Sequence, residues 1–303
     1  MGKIAFMFPG QGAQYVGMGK DFYEQIPVSK NAFVTASEVV GLDLQKLCFE
    51  ENEDLNITEY TQIAILTAEI AMLYALEEKG VKSDVNIGLS LGEYSALVAS
   101  GVLSYEDACK VVRQRGIFME KEVPAGQGAM SAVLGLDAKV ITDCLANIEG
   151  NVQIANYNCP GQIVISGDLK AVTDANKALT EVGARRVVPL NVSGPFHSQL
   201  LKGAGDKLGT VLDSVIINDI QLPYVANYTA QYVTDKNDVK DLLKKQVYSS
   251  VKFEQSIKML IEDDVDTFIE IGPGKTLSGF VKKISRDVKV INVEKVEDLG
   301  VFE

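Results

Sequence analysis

The sequence predicts an α/β protein of two unequal domains, a larger one built on a parallel sheet and a smaller one inserted into it. Three observations point there. The chain has 303 residues and 47% hydrophobic content, enough for a substantial core. Short apolar strands alternate with helical segments toward both ends, the rhythm of a parallel sheet with helical crossovers. The middle stretch changes to β-α-β-β-α-β order.

Lys3 to Phe8 is a short apolar run ended by the turn Pro9-Gly10-Gln11-Gly12, and reads as a buried strand. Helical patterns follow to about residue 80. The most apolar window, Ile63 to Leu76, is broken by Glu69 and is shorter than the ~20 residues of a membrane span, so it reads as a buried core helix. Val85 to Leu89 reads as a second strand, Leu91 to Ser100 as a helix, and Tyr105 to about Val123 as a longer helix. Then come a strand over Gly128–Gly135, a helix over Ala138–Ile148 and strands over Val152–Tyr157 and Gln162–Ser166 joined at Asn158-Cys159-Pro160-Gly161. A helix over Ala171–Val182 and a strand over Arg185–Leu190 complete a ferredoxin-like pattern. The inserted domain is therefore expected at 126–193, and the larger domain at 1–125 and 194–303, with strands at Thr267–Ile271 and Lys289–Val293. A host and its insert form a cleft, and clefts between domains bind ligands.

Composition narrows the function. The net charge of −12, from 29 basic and 41 acidic residues, disfavours nucleic acid as a partner. Cys48, Cys109, Cys144 and Cys159 are scattered without metal spacing, and the chain has one histidine, so a zinc site is not expected. The apolar run at the N-terminus is too short for a signal peptide, so free thiols in a reducing cytoplasm are expected. Myristoylation at Gly2 is set aside because Phe6 stands where Ser or Thr is needed.

The strongest local signal is Gly88-Leu89-Ser90-Leu91-Gly92, a G-x-S-x-G sequence with a strand before it and a helix after it. In that setting a serine sits on a sharp, strained turn at a helix N-terminus, where backbone N–H groups stabilise an oxyanion. Hence the larger domain is expected to be α/β-hydrolase-like. A serine hydroxyl needs a base, and the sole histidine, His197, lies where the insert ends. No acid is singled out between Ser90 and His197 as a third member, so a dyad is expected, with a carbonyl holding the imidazole. The loop Pro9-Gly10-Gln11-Gly12-Ala13-Gln14 lacks both phosphate-loop patterns, Tyr15 standing where G-x-G-x-x-G needs glycine. It is either a plain turn or the source of a second oxyanion donor. Arg113 and Arg115 follow on the next helix; a buried arginine facing an acyl site would pair bidentately with a substrate carboxylate.

Taken together, these residues resemble the malonyl-CoA:acyl carrier protein transacylase family and its relatives, the acyltransferase domains of polyketide and fatty acid synthases. The resemblance runs from about residue 3 to 293 through FPGQGAQ (8–14), GLSLGEYSAL (88–97), RQRG (113–116), GAM (128–130), NYNCPGQIVISG (156–167), GPFHS (194–198), QVYSSVKF (246–253) and EIGPGKTL (270–277). It implies a ping-pong acyltransferase without cofactor, moving malonyl from coenzyme A to the phosphopantetheine thiol of acyl carrier protein for fatty acid synthesis. By position it implies Ser90 as the acylated residue, His197 as base, Gln11 and Leu91 as oxyanion donors, and Arg115 as the carboxylate clamp. Gln246 would lie beside His197, and Asn156, Asn158 and Gln162 would line the cleft. Phe196, before the histidine, goes with malonyl; serine there goes with methylmalonyl. Leu89 departs from the family, which usually has histidine before the nucleophile.

An acidic carrier needs a local basic rim on this acidic chain, and Arg185-Arg186 with Lys282, Lys283 and Arg286 are the candidates. A monomer with no membrane partner is expected. The rival readings are a serine hydrolase with the same elbow, a non-catalytic scaffold that binds carrier protein, and service to polyketide synthesis.

Overall fold

The computed structural model describes residues 2–124 and 126–303. Residue 125, at the expected domain boundary, lies outside the described residues, as does residue 1. The protein is a mixed α/β structure with a parallel sheet. Its first half contains β1 (Lys3–Phe8), α1 (Lys20–Gln25), α2 (Pro27–Val40), α3 (Leu44–Phe49), α4 (Thr58–Glu78), β2 (Val85–Gly88), α5 (Gly92–Ala99) and α6 (Tyr105–Glu122). There follow β3 (Gly128–Leu134), α7 (Ala138–Leu145), β4 (Val152–Cys159), β5 (Gln162–Asp168), α8 (Leu169–Glu181) and β6 (Arg186–Pro189). The remainder is α9 (Lys202–Leu212), β7 (Tyr224–Ala226), β8 (Gln231–Val233), α10 (Lys236–Tyr248), α11 (Phe253–Glu262), β9 (Val265–Ile271), α12 (Thr276–Ile284) and β10 (Lys289–Val293).

The strands form two sheets. The six-stranded sheet has the order β10-β9-β1-β2-β7-β8, parallel except for β8. The four-stranded sheet has the order β4-β5-β3-β6 and is antiparallel throughout. Helix α4 is apolar nearly all round because it is buried nearly all round, as its sequence predicts. Ser104 caps α6 by accepting from Asp107 N at 3.1 Å, and Asp235 caps α10 by accepting from Asn237 N at 2.8 Å.

Two apolar clusters cover the faces of the parallel sheet, and a third joins α7 and α8 to the small sheet. Met130, Ala155 and Val164 of the small sheet belong to the first cluster, so the two sheets share one packed junction. Strand β4 runs on to Cys159, past the expected end at Tyr157, because the chain before α11 holds it: Tyr157 N donates to Val251 O at 2.9 Å. The hairpin loop contracts to Pro160-Gly161, with Gly161 at φ 70° supplying the left-handed turn.

The site is placed by register. Phe8 pairs with Gly88 in the parallel ladder, and Leu89 N donates to Phe8 O at 2.9 Å. The loops after β1 and β2 therefore leave the sheet side by side at its carboxyl edge, where open parallel sheets bind ligands.

Candidate active site

Ser90 lies between β2 and α5 at φ 54°, a left-handed conformation costly for a residue with a Cβ. The flanking glycines make this turn possible. A Cβ on Gly88 would strike the Gly92 carbonyl, and one on Gly92 would strike the Phe8 carbonyl. A Cβ on Gly10 would strike the Leu89 carbonyl, so the neighbouring loop obeys the same constraint.

His197 reaches Ser90 from the segment after β6. It is buried, and its backbone is also left-handed, at φ 57°. Ser90 Oγ is 2.7 Å from His197 Nε2, and His197 Nδ1 is 2.8 Å from Gln246 O on α10. A backbone carbonyl only accepts, so Nδ1 carries the proton and Nε2 offers its lone pair to the serine. Burial, reinforced by the charge of Arg115, lowers the imidazole pKa to about 4. His197 is therefore neutral at pH 7, the form a general base requires.

Arg115 comes from α6 and is only 1% exposed. Its Nη2 donates to Ser90 Oγ at 3.2 Å and to Gln246 Oε1 at 3.0 Å, and its Nη1 donates to Gln62 Oε1 at 2.7 Å. Tyr94 stacks beneath it, 5.4 Å from the guanidinium carbon to the ring centroid. Every one of these partners is neutral, and Nε has no partner among the described residues.

A cavity of about 520 Å³ opens over Ser90, within the range of small-molecule sites. Gln11, Asn156, Phe196 and His197 are among its walls. A second cavity of about 230 Å³ adjoins it, sharing Gln11, Leu89 and Asn156 and adding Asn158. Gln162 lines neither; its Oε1 accepts from Lys283 Nζ at 3.0 Å at the outer end of the small sheet. Leu89 stands between the cavities and packs against the apolar cluster under the sheet.

The backbone N–H groups of Gln11 and Leu91 donate to no acceptor among the described residues. The Ser90 N–H is unavailable as a third donor, because it is spent on Asn227 Oδ1 at 2.6 Å. Asn227 also donates from Nδ2 to Gly88 O at 2.7 Å, bridging both sides of the elbow. Sequence reasoning missed Asn227, Gln62 and Glu93. Only Glu93 carried a signal, as a charged residue at the start of a helix whose other residues are mostly small or apolar. Among the described residues no group of three acidic, His or Cys side chains could hold a metal ion, and no helix is long and apolar enough to cross a membrane.

Comparison with known proteins agrees with this geometry. The acyl transferase domain family matches residues 5–300. The malonyl CoA-acyl carrier protein transacylase of Bacillus subtilis (strain 168) is 52% identical, over 99% of this chain and 96% of that protein. The crystal structure of the malonyl CoA-acyl carrier protein transacylase from Clostridium perfringens superposes with a TM-score of 0.96 at 46% identity, covering 99% of this chain and 95% of that one. A malonyl-transacylase solved in complex with a type II PKS acyl-carrier protein superposes with a TM-score of 0.96 at 37% identity, covering 99% and 98%. With its strained serine, its buried histidine and full-length likeness to these proteins, the chain belongs to the acyl transferase domain family, in its malonyl CoA-acyl carrier protein transacylase group.

Proposed function

We propose that the protein transfers malonyl from malonyl-CoA to the phosphopantetheine thiol of an acyl carrier protein through a Ser90 acyl-enzyme, supplying fatty acid synthesis. The observation that carries this reading is Arg115: a buried guanidinium 3.2 Å from the nucleophile, with only neutral protein partners. A substrate carboxylate is the partner it lacks, and a neutral ester or acetyl group offers none.

The steps follow from the contacts. Ser90 Oγ attacks the thioester carbonyl while its proton passes to His197 Nε2. The oxyanion is held by the free N–H groups of Gln11 and Leu91. Gln246 O stabilises the imidazolium through Nδ1–H, in place of a triad carboxylate. Collapse expels the coenzyme A thiolate, which takes the proton from Nε2. The carrier thiol then gives its proton to Nε2 and attacks the acyl carbonyl. The second tetrahedral intermediate returns Ser90, which recovers the proton. No cofactor takes part, since coenzyme A arrives as substrate. Asn156 and Phe196 shape the acyl chamber, and Asn158 the adjoining cavity.

The larger unit, 1–125 with 194–303, is α/β-hydrolase-like, and 126–193 is a ferredoxin-like insert. The strand order β4-β5-β3-β6 supports the second assignment. The carrier docks on exposed Arg185, Arg186, Lys282, Lys283 and Arg286. Arg186 and Gln162 both pair with Leu134, and Gln162 accepts from Lys283, so two of these cations mark one end of the small sheet. The protein acts as a cytoplasmic monomer.

Intact mass after incubation with malonyl-CoA tests the reading. A malonyl adduct on the wild type and none on Ser90→Ala is expected. Steady release of free malonate without an adduct would make the protein a hydrolase.

A further inference from the structure

Among the described residues Glu93 is the one buried carboxylate whose hydrogen bonds lead straight into this site, and the dyad does not use it. It lies in the first turn of α5, fully buried. Its Oε2 accepts from Gln246 Nε2 at 2.7 Å and from Asn227 N at 3.1 Å. Gln246 Nε2 also donates to Ser90 O at 2.8 Å, while Gln246 Oε1 accepts from Arg115 Nη2. The amide has only one workable orientation. Its nitrogen faces a carboxylate and a carbonyl, which accept, and its oxygen faces a guanidinium, which only donates.

We propose that Glu93 is a positioning residue for acyl-group selection: it fixes the polarity of the Gln246 amide, which in turn holds Arg115 toward Ser90 without neutralising it. The inference rests on the malonyl reading above and deepens it. A carboxylate placed directly on Arg115 would satisfy the guanidinium and compete with the substrate. Placed one amide farther away, Glu93, whose carboxyl pKa is pushed up to about 7 by burial, accepts through Oε2 in either protonation state, balances part of the buried charge when ionised, and leaves Nη2 free to exchange Ser90 Oγ for a substrate oxygen. An acceptor-only group is needed at position 93. With a second amide there, Gln246 could turn its nitrogen toward Arg115, donor against donor.

The test compares Ser90 acylation by malonyl-CoA and by acetyl-CoA in wild type, Glu93→Gln and Gln246→Leu. Gln246→Leu removes the relay but keeps the backbone carbonyl that holds His197. Loss of a charged hydrogen bond predicts that the malonyl-to-acetyl ratio of kcat/KM falls about tenfold or more in each variant, mainly through the KM for malonyl-CoA. The double variant falls little further, because both changes cut one chain. An equal loss for both acyl groups, or an unchanged ratio, overturns the positioning role. If Glu93→Gln does not fold, Gln246→Leu alone decides: a retained ratio rejects the relay. A wild type that does not prefer malonyl would instead reject the proposed function, so the two failures are distinguishable.

Discussion

Helix α6 carries two arginines two residues apart, and its two faces treat them differently. Arg113 meets a full set of partners: the Glu59 carboxylate at 3.0 Å, the Glu59 carbonyl, and the Tyr60 ring with its centroid 4.7 Å from the guanidinium carbon. Its side chain keeps 16% exposure, so solvent shares the load. Arg115 is buried and finds two amide oxygens, one hydroxyl and a ring. One face spends its charge on the fold, and the other keeps it for a ligand. A buried cation with no carboxylate in contact costs several kcal/mol in desolvation, so its persistence beside a nucleophile points to function.

The largest expected effect breaks the comparison at Arg115. Arg115→Ala should lower kcat/KM for malonyl-CoA by roughly a hundredfold or more, the scale of a lost charged pair in a buried site. Acetyl-CoA should lose far less, and rates for both thioesters measure the contrast. A matching loss on acetyl-CoA would mean that Arg115 only supports the elbow.

The next effect is on the base. His197 is the sole histidine, so its NMR titration is unambiguous. In the wild type its pKa should lie near 4, lowered by burial and then by Arg115. In Arg115→Ala the second cause disappears and the first remains, so the pKa should rise while staying below 6.5. The base is thus neutral at pH 7 in both proteins, and the Arg115→Ala defect cannot be traced to a protonated histidine. Base function is lost only as pH falls through the folded-state pKa. A wild-type pKa of 6.5 or above would refute the dry, cationic setting.

These contrasts also mark what a sequence can disclose. The Ser90 elbow was legible because its strain admits only glycine at 88 and 92, leaving a spaced trace in the chain. The sole histidine was legible by elimination. Parallel strands and the βαββαβ rhythm were legible from periodicity, whereas β7 and β8 span three residues each, too few for a period to register. Asn227 and Glu93 were not legible as partners, because their roles depend on contacts across 134 residues or more that no local pattern encodes. Gln162 sits in a motif of the cleft yet points to Lys283, since the hairpin carries it past the cavity wall.

A smaller effect belongs to the rim. Charge reversal at Lys282 and Lys283 should raise the KM for carrier protein several-fold and leave that for malonyl-CoA unchanged, with an effect that shrinks as salt rises. Equal changes for both substrates would remove the docking role from α12.

The smallest effect returns to Arg113. Arg113→Ala deletes a half-screened ion pair and a stacking contact, together worth about 1 kcal/mol of stability. Malonyl-CoA and acetyl-CoA rates should both stay within about twofold of wild type, because Glu59 and Tyr60, in the first turn of α4, make no hydrogen bond to Ser90 or His197. Thermal unfolding and the two rates together decide the matter. A change in the malonyl-to-acetyl ratio here would show that the faces of α6 are coupled, and that the charge at Arg115 is set by the helix as a whole and not by its own neutral partners.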